Sequence, residues 1–138
     1  MGYYTYFQLN VQYKEKSANG EVNYDAEPPA LLVNDLTAEI EKMDVFEEGN
    51  IDDGWYVCEA KWYDHDDDML LLSHRFPEFL FTLYGEGESH DDMWYTYYQD
   101  GKMQDAPAQI HFDEFDEKQL FVPENPPSFA PEATYSYQ

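Results

Sequence analysis

Positive charge is what this sequence has least of. Seven Lys and Arg stand against 30 Asp and Glu, a net charge of −23 at pH 7. Phosphate backbones and anionic lipid would be repelled over most of such a surface, which argues against direct nucleic-acid binding and against attachment to acidic membranes. Cysteine is nearly missing too. Cys58 stands alone, so neither an intrachain disulfide nor a CxxC zinc motif is available. The chain belongs in a reducing compartment, or makes no use of disulfides. A run of about 18 or more apolar residues, the length a membrane helix needs, does not occur. The opening Met1-Gly2-Tyr3-Tyr4-Thr5-Tyr6 has no basic patch and no continuous apolar stretch, so it does not read as a signal peptide. Tyr6 also stands where a myristoylation motif wants Ser or Thr. The expected location is the cytoplasm.

What is present is enough for one core. The chain has 138 residues, 43% hydrophobic and 18% aromatic, and large aromatic side chains let a short chain bury much area. One α+β domain is expected over residues 1–122, followed by a tail over 123–138 that holds four of the eight prolines. So much like charge repels itself in the compact state. A chain that tolerates it gains solubility, salt adaptation or a basic partner.

Residues Tyr3 to Tyr13 alternate, with Thr5, Phe7, Leu9 and Val11 on one face and Tyr6, Gln8, Asn10 and Gln12 on the other, a half-buried strand. Residues 14–27 are polar around an Asn19-Gly20 turn. Pro28-Pro29 opens a helix near residues 29–43, whose Val33, Leu36, Ile40 and Met43 recur at helical spacing. An acidic loop from Asp44 to Gly54 precedes a second strand, Trp55 to Trp62, with Tyr56, Cys58, Ala60 and Trp62 inward. Asp64 is placed to cap a short second helix with Asp66, Asp67 and Asp68 in its first turn, buried through Met69, Leu72 and Phe76 and stopped by Pro77. Strands follow over Phe79–Tyr84 and Met93–Gln99. Asp100-Gly101 is a hairpin turn, and a last strand, Lys102 to Phe112, is interrupted near Pro107 and suits a sheet edge. The expected order is β-α-β-α-β-β-β, a mostly antiparallel sheet with two helices packed on one face.

Motifs with chemical meaning fail one after another. Asp64-x-Asp66-x-Asp68 matches the start of a calcium loop, but Met69 and Arg75 stand where that loop needs Gly and Glu; a helix N-terminus with an acidic first turn is the simpler reading. Glu86, Glu88, His90, Asp91 and Asp92, with His65, contain the donors a divalent cation wants, yet 30 acids produce such clusters by accident. No metal site and no cofactor are expected. The four histidines, His65, His74, His90 and His111, have no serine or cysteine nucleophile in a recognised turn, and Cys58 falls on an inward strand position. Gly85-Glu86-Gly87-Glu88 would repel a phosphate. No enzyme activity is expected.

Two abundant features remain. Acids come in blocks: Glu47, Glu48, Asp52 and Asp53; Asp64 to Asp68, including Asp66 and Asp67; Glu86, Glu88, Asp91 and Asp92; and Asp113 to Glu117. Rigid acidic blocks can occupy a groove built for nucleic acid, with fast, salt-sensitive association. Aromatics are the other feature. Strand alternation sends about half of them outward, and the segment Trp94 to Tyr98 offers a Tyr- and Trp-rich surface suited to a protein interface, unless a helix or the tail covers it.

The run Trp62-Tyr63-Asp64-His65, Asp68-Met69, Leu72-Ser73, Phe76-Pro77, Phe81, Gly85-Glu86-Gly87-Glu88, Asp92-x-Trp94, Tyr98 and Asp100-Gly101-Lys102 resembles a pattern in small acidic proteins of phages, prophages and other bacterial mobile elements. It covers about a third of the chain, and it carries no site residues with it. It implies genomic company: such elements encode acidic inhibitors of restriction and CRISPR enzymes, some of them DNA mimics. The expected function is therefore an anti-restriction or anti-CRISPR inhibitor that mimics nucleic-acid charge. Its partner would be a basic nucleic-acid-binding defence protein, met through the acidic blocks and Trp94. The alternative is a non-catalytic interaction module, an immunity protein or adaptor, that uses an exposed aromatic sheet face. Homodimerisation is compatible with either.

Overall fold

The computed structural model describes residues 4–89 and 92–129. Its centre is a six-stranded antiparallel sheet. The first strand, β1 (Thr5–Tyr13), buries Thr5, Phe7, Leu9 and Val11, as its alternation demands. A two-residue pair, β2 (Glu15–Lys16) and β3 (Val22–Asn23), closes over the Asn19-Gly20 turn, where Gly20 takes φ 88°. Helix α1 (Ala30–Met43) starts after Pro29 and buries Leu36 and Ile40. It stops where Asp44 turns left-handed at φ 54°. Strand β4 (Glu48–Asn50) lies inside the stretch expected to be an acidic loop, and β5 (Trp55–Ala60) follows it. Helix α2 (His65–Arg75) leads into β6 (Phe79–Glu86), β7 (Met93–Gln99) and β8 (Lys102–Pro107).

The sheet runs β4-β5-β1-β6-β7-β8, so the N-terminal strand sits in the interior between β5 and β6. Its registers, Phe7 opposite Cys58 on one side and Leu9 opposite Leu83 on the other, put the buried apolar positions of three strands on one face. Both helices contribute to the core on that face: Leu36, Ile40, Met69 and Leu72 pack in one cluster with Phe7, Leu9, Tyr56, Phe81, Leu83 and Tyr98. The protein is α+β and strand-rich, with strand pairing antiparallel throughout the described residues.

Three local expectations need correction. The last strand ends at Pro107 and does not reach Phe112; only the Ala108 amide, donating to Met93 O at 2.9 Å, extends the ladder. That bond makes 95/106, 97/104 and 99/102 the hydrogen-bonded pairs, so the backbone polar groups of Met103 and Asp105 point off the free edge, beside Pro107. Asp64 takes the N-cap position of α2, but its side chain makes no capping bond. The first-turn acids turn inward instead, as set out below. Finally, the acidic loop carries a strand because Gly49, at φ 127°, lets it approach β5: a Cβ there would lie 2.2 Å from Trp55 O.

Candidate functional site

The acidic blocks named above lie at separate places on this fold. Glu47 and Glu48 are exposed on the β4 edge, and Asp52 and Asp53 occupy the tight β4–β5 turn. There Asn50 Oδ1 accepts from the Asp53 amide at 2.7 Å, and its Nδ2 donates to Asp53 Oδ2 at 3.0 Å. The Asp53 carboxylate is thus held by the turn's own polar groups, while Glu47, Glu48 and Asp52 stand exposed beside it. Among the described residues the Lys and Arg ion pairs are Lys42 and Arg75, both to Glu39, at 3.2 and 2.9 Å. They hold the Glu39 carboxyl below its usual range, with the Lys42 hydrogen bond the largest cause. None of Glu47, Glu48, Asp52 and Asp53 is paired with a base in this way.

The α2 block behaves differently. Asp66 Oδ1 accepts from the Tyr98 hydroxyl at 2.5 Å, and Asp68 Oδ2 accepts from Trp62 Nε1 at 2.7 Å. Both donors are buried aromatics that need a partner for their one polar group. Burial, then the hydrogen bond to Asp66, pushes the Tyr98 phenol well above its ordinary range. The acidic first turn of α2 is thus partly a set of acceptors for the core, leaving Asp67 as its exposed acid. His65 lies among Phe7, Trp62 and Trp94, with ring centroids 5.4, 6.0 and 6.1 Å away, and its Nδ1 stands 3.3 Å from Asp66 Oδ1 without hydrogen-bond geometry.

The third block caps the β6–β7 hairpin. Glu86 accepts from the Tyr84 hydroxyl at 3.0 Å, Glu88 accepts from the Tyr4 amide at 3.4 Å, and the Gly87 amide donates to Asp92 O at 2.7 Å. Asp91 and His90 lie outside the described residues. The sheet order separates this hairpin from β4 by two intervening strands, β5 and β1. The structure therefore brings Asp66, Asp67 and the β6–β7 hairpin to one end of the sheet through Trp94, and leaves the Glu47–Asp53 block on the far edge. Among the described residues no three His, Cys, Asp or Glu side chains gather as a metal shell would need. Cys58 is buried, and its thiol is pushed up to about 12, by burial first and then by Glu47.

No family model, curated protein or solved structure matches the chain. The residues alone carry the reading.

The fourth surface is the sheet face opposite the helices. Trp94, expected there, faces the core side: it pairs with Gly85 and packs over it, half-buried against Phe7 and His65. Tyr95 and Tyr97 are the outward pair, Tyr95 being 47% exposed. Tyr6 and Tyr84 join them. Ring centroids run 6.3 Å from Tyr6 to Tyr84, 5.4 Å from Tyr84 to Tyr95 and 6.3 Å from Tyr95 to Tyr97, the last pair stacked at 19°. This ladder of four tyrosines crosses three strands. The registers place Val57, Gln8, Tyr84, Tyr95 and Ala106 in one outward row, and Trp55, Asn10, Thr82, Tyr97 and Gln104 in the next. Neither row contains a charge from β5 to β8; on β4 the first row ends at Glu48, opposite Val57, and the second at Asn50, opposite Trp55, while Glu59, Glu86 and Lys102 flank them. In a chain of net charge −23 that neutrality is unusual. The polar side of the first strand (Gln8, Asn10, Gln12) hinted at it, but the rows depend on sheet order.

Proposed function

We propose that this protein is an acidic inhibitor that occupies the nucleic-acid groove of a basic partner, a bacterial defence nuclease or effector complex, in the cytoplasm of a phage-infected or element-bearing host. The observation that carries this reading is the exposed block Glu47, Glu48, Asp52 and Asp53, none of them paired with a base among the described residues, in a chain with 30 acids and seven bases. Four acids clustered on one short strand and its turn present a dense negative patch, the charge a groove built for phosphates receives. The resemblance to small acidic phage and mobile-element proteins agrees with it. No helix among those residues is long and apolar enough to cross a membrane.

The test is binding to candidate defence effectors by wild-type protein and by two block variants, Glu47→Gln/Glu48→Gln/Asp52→Asn/Asp53→Asn and Glu86→Gln/Glu88→Gln/Asp91→Asn/Asp92→Asn. Each exposed charge contributes about 0–1 kcal/mol, so single changes are nearly silent and a quadruple change costs on the order of 2–3 kcal/mol. Duplex DNA or guide RNA competes for the same target, and salt slows association. Block variants that bind as well as the parent, or a target that holds protein and nucleic acid together, would refute the proposal. A second reading, an immunity protein or adaptor that binds through its aromatic sheet face, is favoured by the uncharged tyrosine ladder.

A further inference from the structure

Beyond β8 the chain leaves the sheet as an arm. Residues 108–129 contain only a three-residue 3-10 turn, Glu117–Gln119, in which Asp116 Oδ1 accepts from the Lys118 amide at 3.0 Å. The arm carries large apolar side chains that touch little of their own chain: Phe112 is 84% exposed, Phe115 79%, Phe121 83% and Val122 76%. Ile110 and Leu120 are also exposed. Single exposed hydrophobics are ordinary; six within thirteen residues form the kind of surface that marks an interaction site.

The same molecule has an open face of the matching chemistry, the tyrosine ladder with its two rows uncharged from β5 to β8. We propose that the arm of one copy lies across the tyrosine face of a second copy, giving a reciprocal, two-fold dimer. Three observations select a second copy as the occupant. First, the arm's apolar side chains are interleaved with Asp113, Glu114, Asp116 and Glu117, so in a chain of this net charge the arm can settle only on a surface free of further carboxylates, and the outward rows through Tyr95 and Tyr97 supply one across β5 to β8. Second, the area suffices: aromatics bury about 150–250 Å² each, so three phenylalanines with Ile110, Leu120 and Val122 reach about the 800 Å² per partner of a stable interface. Exchange makes the contact twice. Third, the arm starts at the edge strand β8, two strands from Tyr84, so a two-fold arrangement of the two sheets places each arm beside the partner's face.

The expected salt dependence has the opposite sign to charge mimicry. Screening removes the repulsion between copies, so added salt strengthens the dimer while it weakens binding to a basic target. The two proposals therefore fail separately.

Sedimentation equilibrium of the full chain, at low and high salt, tests this together with two variants. Phe112→Ser/Phe121→Ser changes only the arm, and Tyr95→Glu/Gln104→Glu only the face; all four positions are exposed, and circular dichroism checks that each variant folds. Each variant alone is expected to weaken self-association about 100-fold or more. An equimolar mixture of the two associates more tightly than either alone, because the intact arm of one meets the intact face of the other. A protein that stays monomeric at high concentration and high salt would overturn the proposal. So would a dimer indifferent to the arm variant, a dimer weakened by salt, or a mixture no tighter than its components.

Discussion

Gly85 has no left-handed backbone to protect, so alanine fits its conformation, yet the position is closed by a neighbour. A Cβ built there would lie 2.2, 2.4 and 2.6 Å from three atoms of the Trp94 ring, where carbon atoms normally rest about 3.5–4.0 Å apart. In Gly85→Ala the indole must therefore move by more than 1 Å or so. It cannot do so freely, because it packs against Phe7 at 6.3 Å and His65 at 6.1 Å between centroids. Losing those contacts costs about 0.5–1.5 kcal/mol each, and forcing extra volume into a packed site costs about 1–3 kcal/mol. Against this, replacing glycine in a strand gains about 0.5–1 kcal/mol. The balance is a loss of about 1–5 kcal/mol, which lowers a urea midpoint by about 0.5–2.5 M for an m value of about 2 kcal/mol/M. The decisive measurement is a double-mutant cycle. With Trp94→Ala in place the ring is gone, so Gly85→Ala should become neutral or stabilise by about 0.5 kcal/mol. An equal loss in both backgrounds would refute the ring-over-glycine argument and assign the effect to the backbone.

Three further outcomes follow from contacts in the core. Trp62→Phe removes the 2.7 Å bond to Asp68 Oδ2 and should cost about 1–2 kcal/mol in chemical denaturation; a silent substitution would mean that Asp68 is equally well served by water. Ser73, fully buried, accepts from the Gly101 amide at 3.0 Å and donates to Leu70 O at 3.0 Å. Ser73→Ala should cost about 1–3 kcal/mol and speed hydrogen exchange at Gly101, whereas unchanged exchange would show the β7–β8 turn to be held by other means. Cys58 has its thiol pushed up to about 12 by burial, against about 8.5 when unfolded. Above the unfolded value the unfolded chain has lost that proton and the folded chain keeps it, so stability falls as pH rises from about 8.5. Cys58→Ala should flatten this fall between about pH 8 and 9, where tyrosines, with a pKa of about 10, are still mostly protonated; an unchanged slope would count against a buried neutral thiol.

Much of the fold was legible because its signals are local. The alternation of Phe7, Leu9 and Val11, the Pro29 helix start and the Asp100-Gly101 turn each act within a few residues, and each lies where the pattern put it. The elements that escaped are those that need a distant partner. Strand β4 is three residues, Glu48-Gly49-Asn50, with no alternation, and it exists through the backbone of Trp55 and Tyr56. Strands β2 and β3 are two residues each. The direction of Trp94 turned on parity: once Tyr98 is buried opposite Phe81, every second residue back along β7 faces the core, Trp94 included. For the candidate site, the abundance of acids was plain in the sequence, but their roles were not. Spacing could not say that Asp66 and Asp68 serve Tyr98 and Trp62 while Asp52 and Asp53 face solvent. The outward rows, neutral from β5 to β8, are assembled from five strands and belong to no segment.

The free side of β8 has a consequence for the molecule at high concentration. A sheet with tyrosines across one face and aromatics inside has the composition of a fibril-forming segment, and an open strand edge is where such growth begins. Here any strand arriving at that edge meets the Asp105 carboxylate and then Pro107, which has no amide proton to offer. The opposite edge, β4, is only three residues long and is led by Glu48. Acid would neutralise the carboxylates but leave the proline, so templated stacking of strands is blocked by covalent structure at one edge and by shortness at the other. The sheet is thus finite by construction, and the tyrosine face can remain open to a specific partner without seeding insoluble polymer.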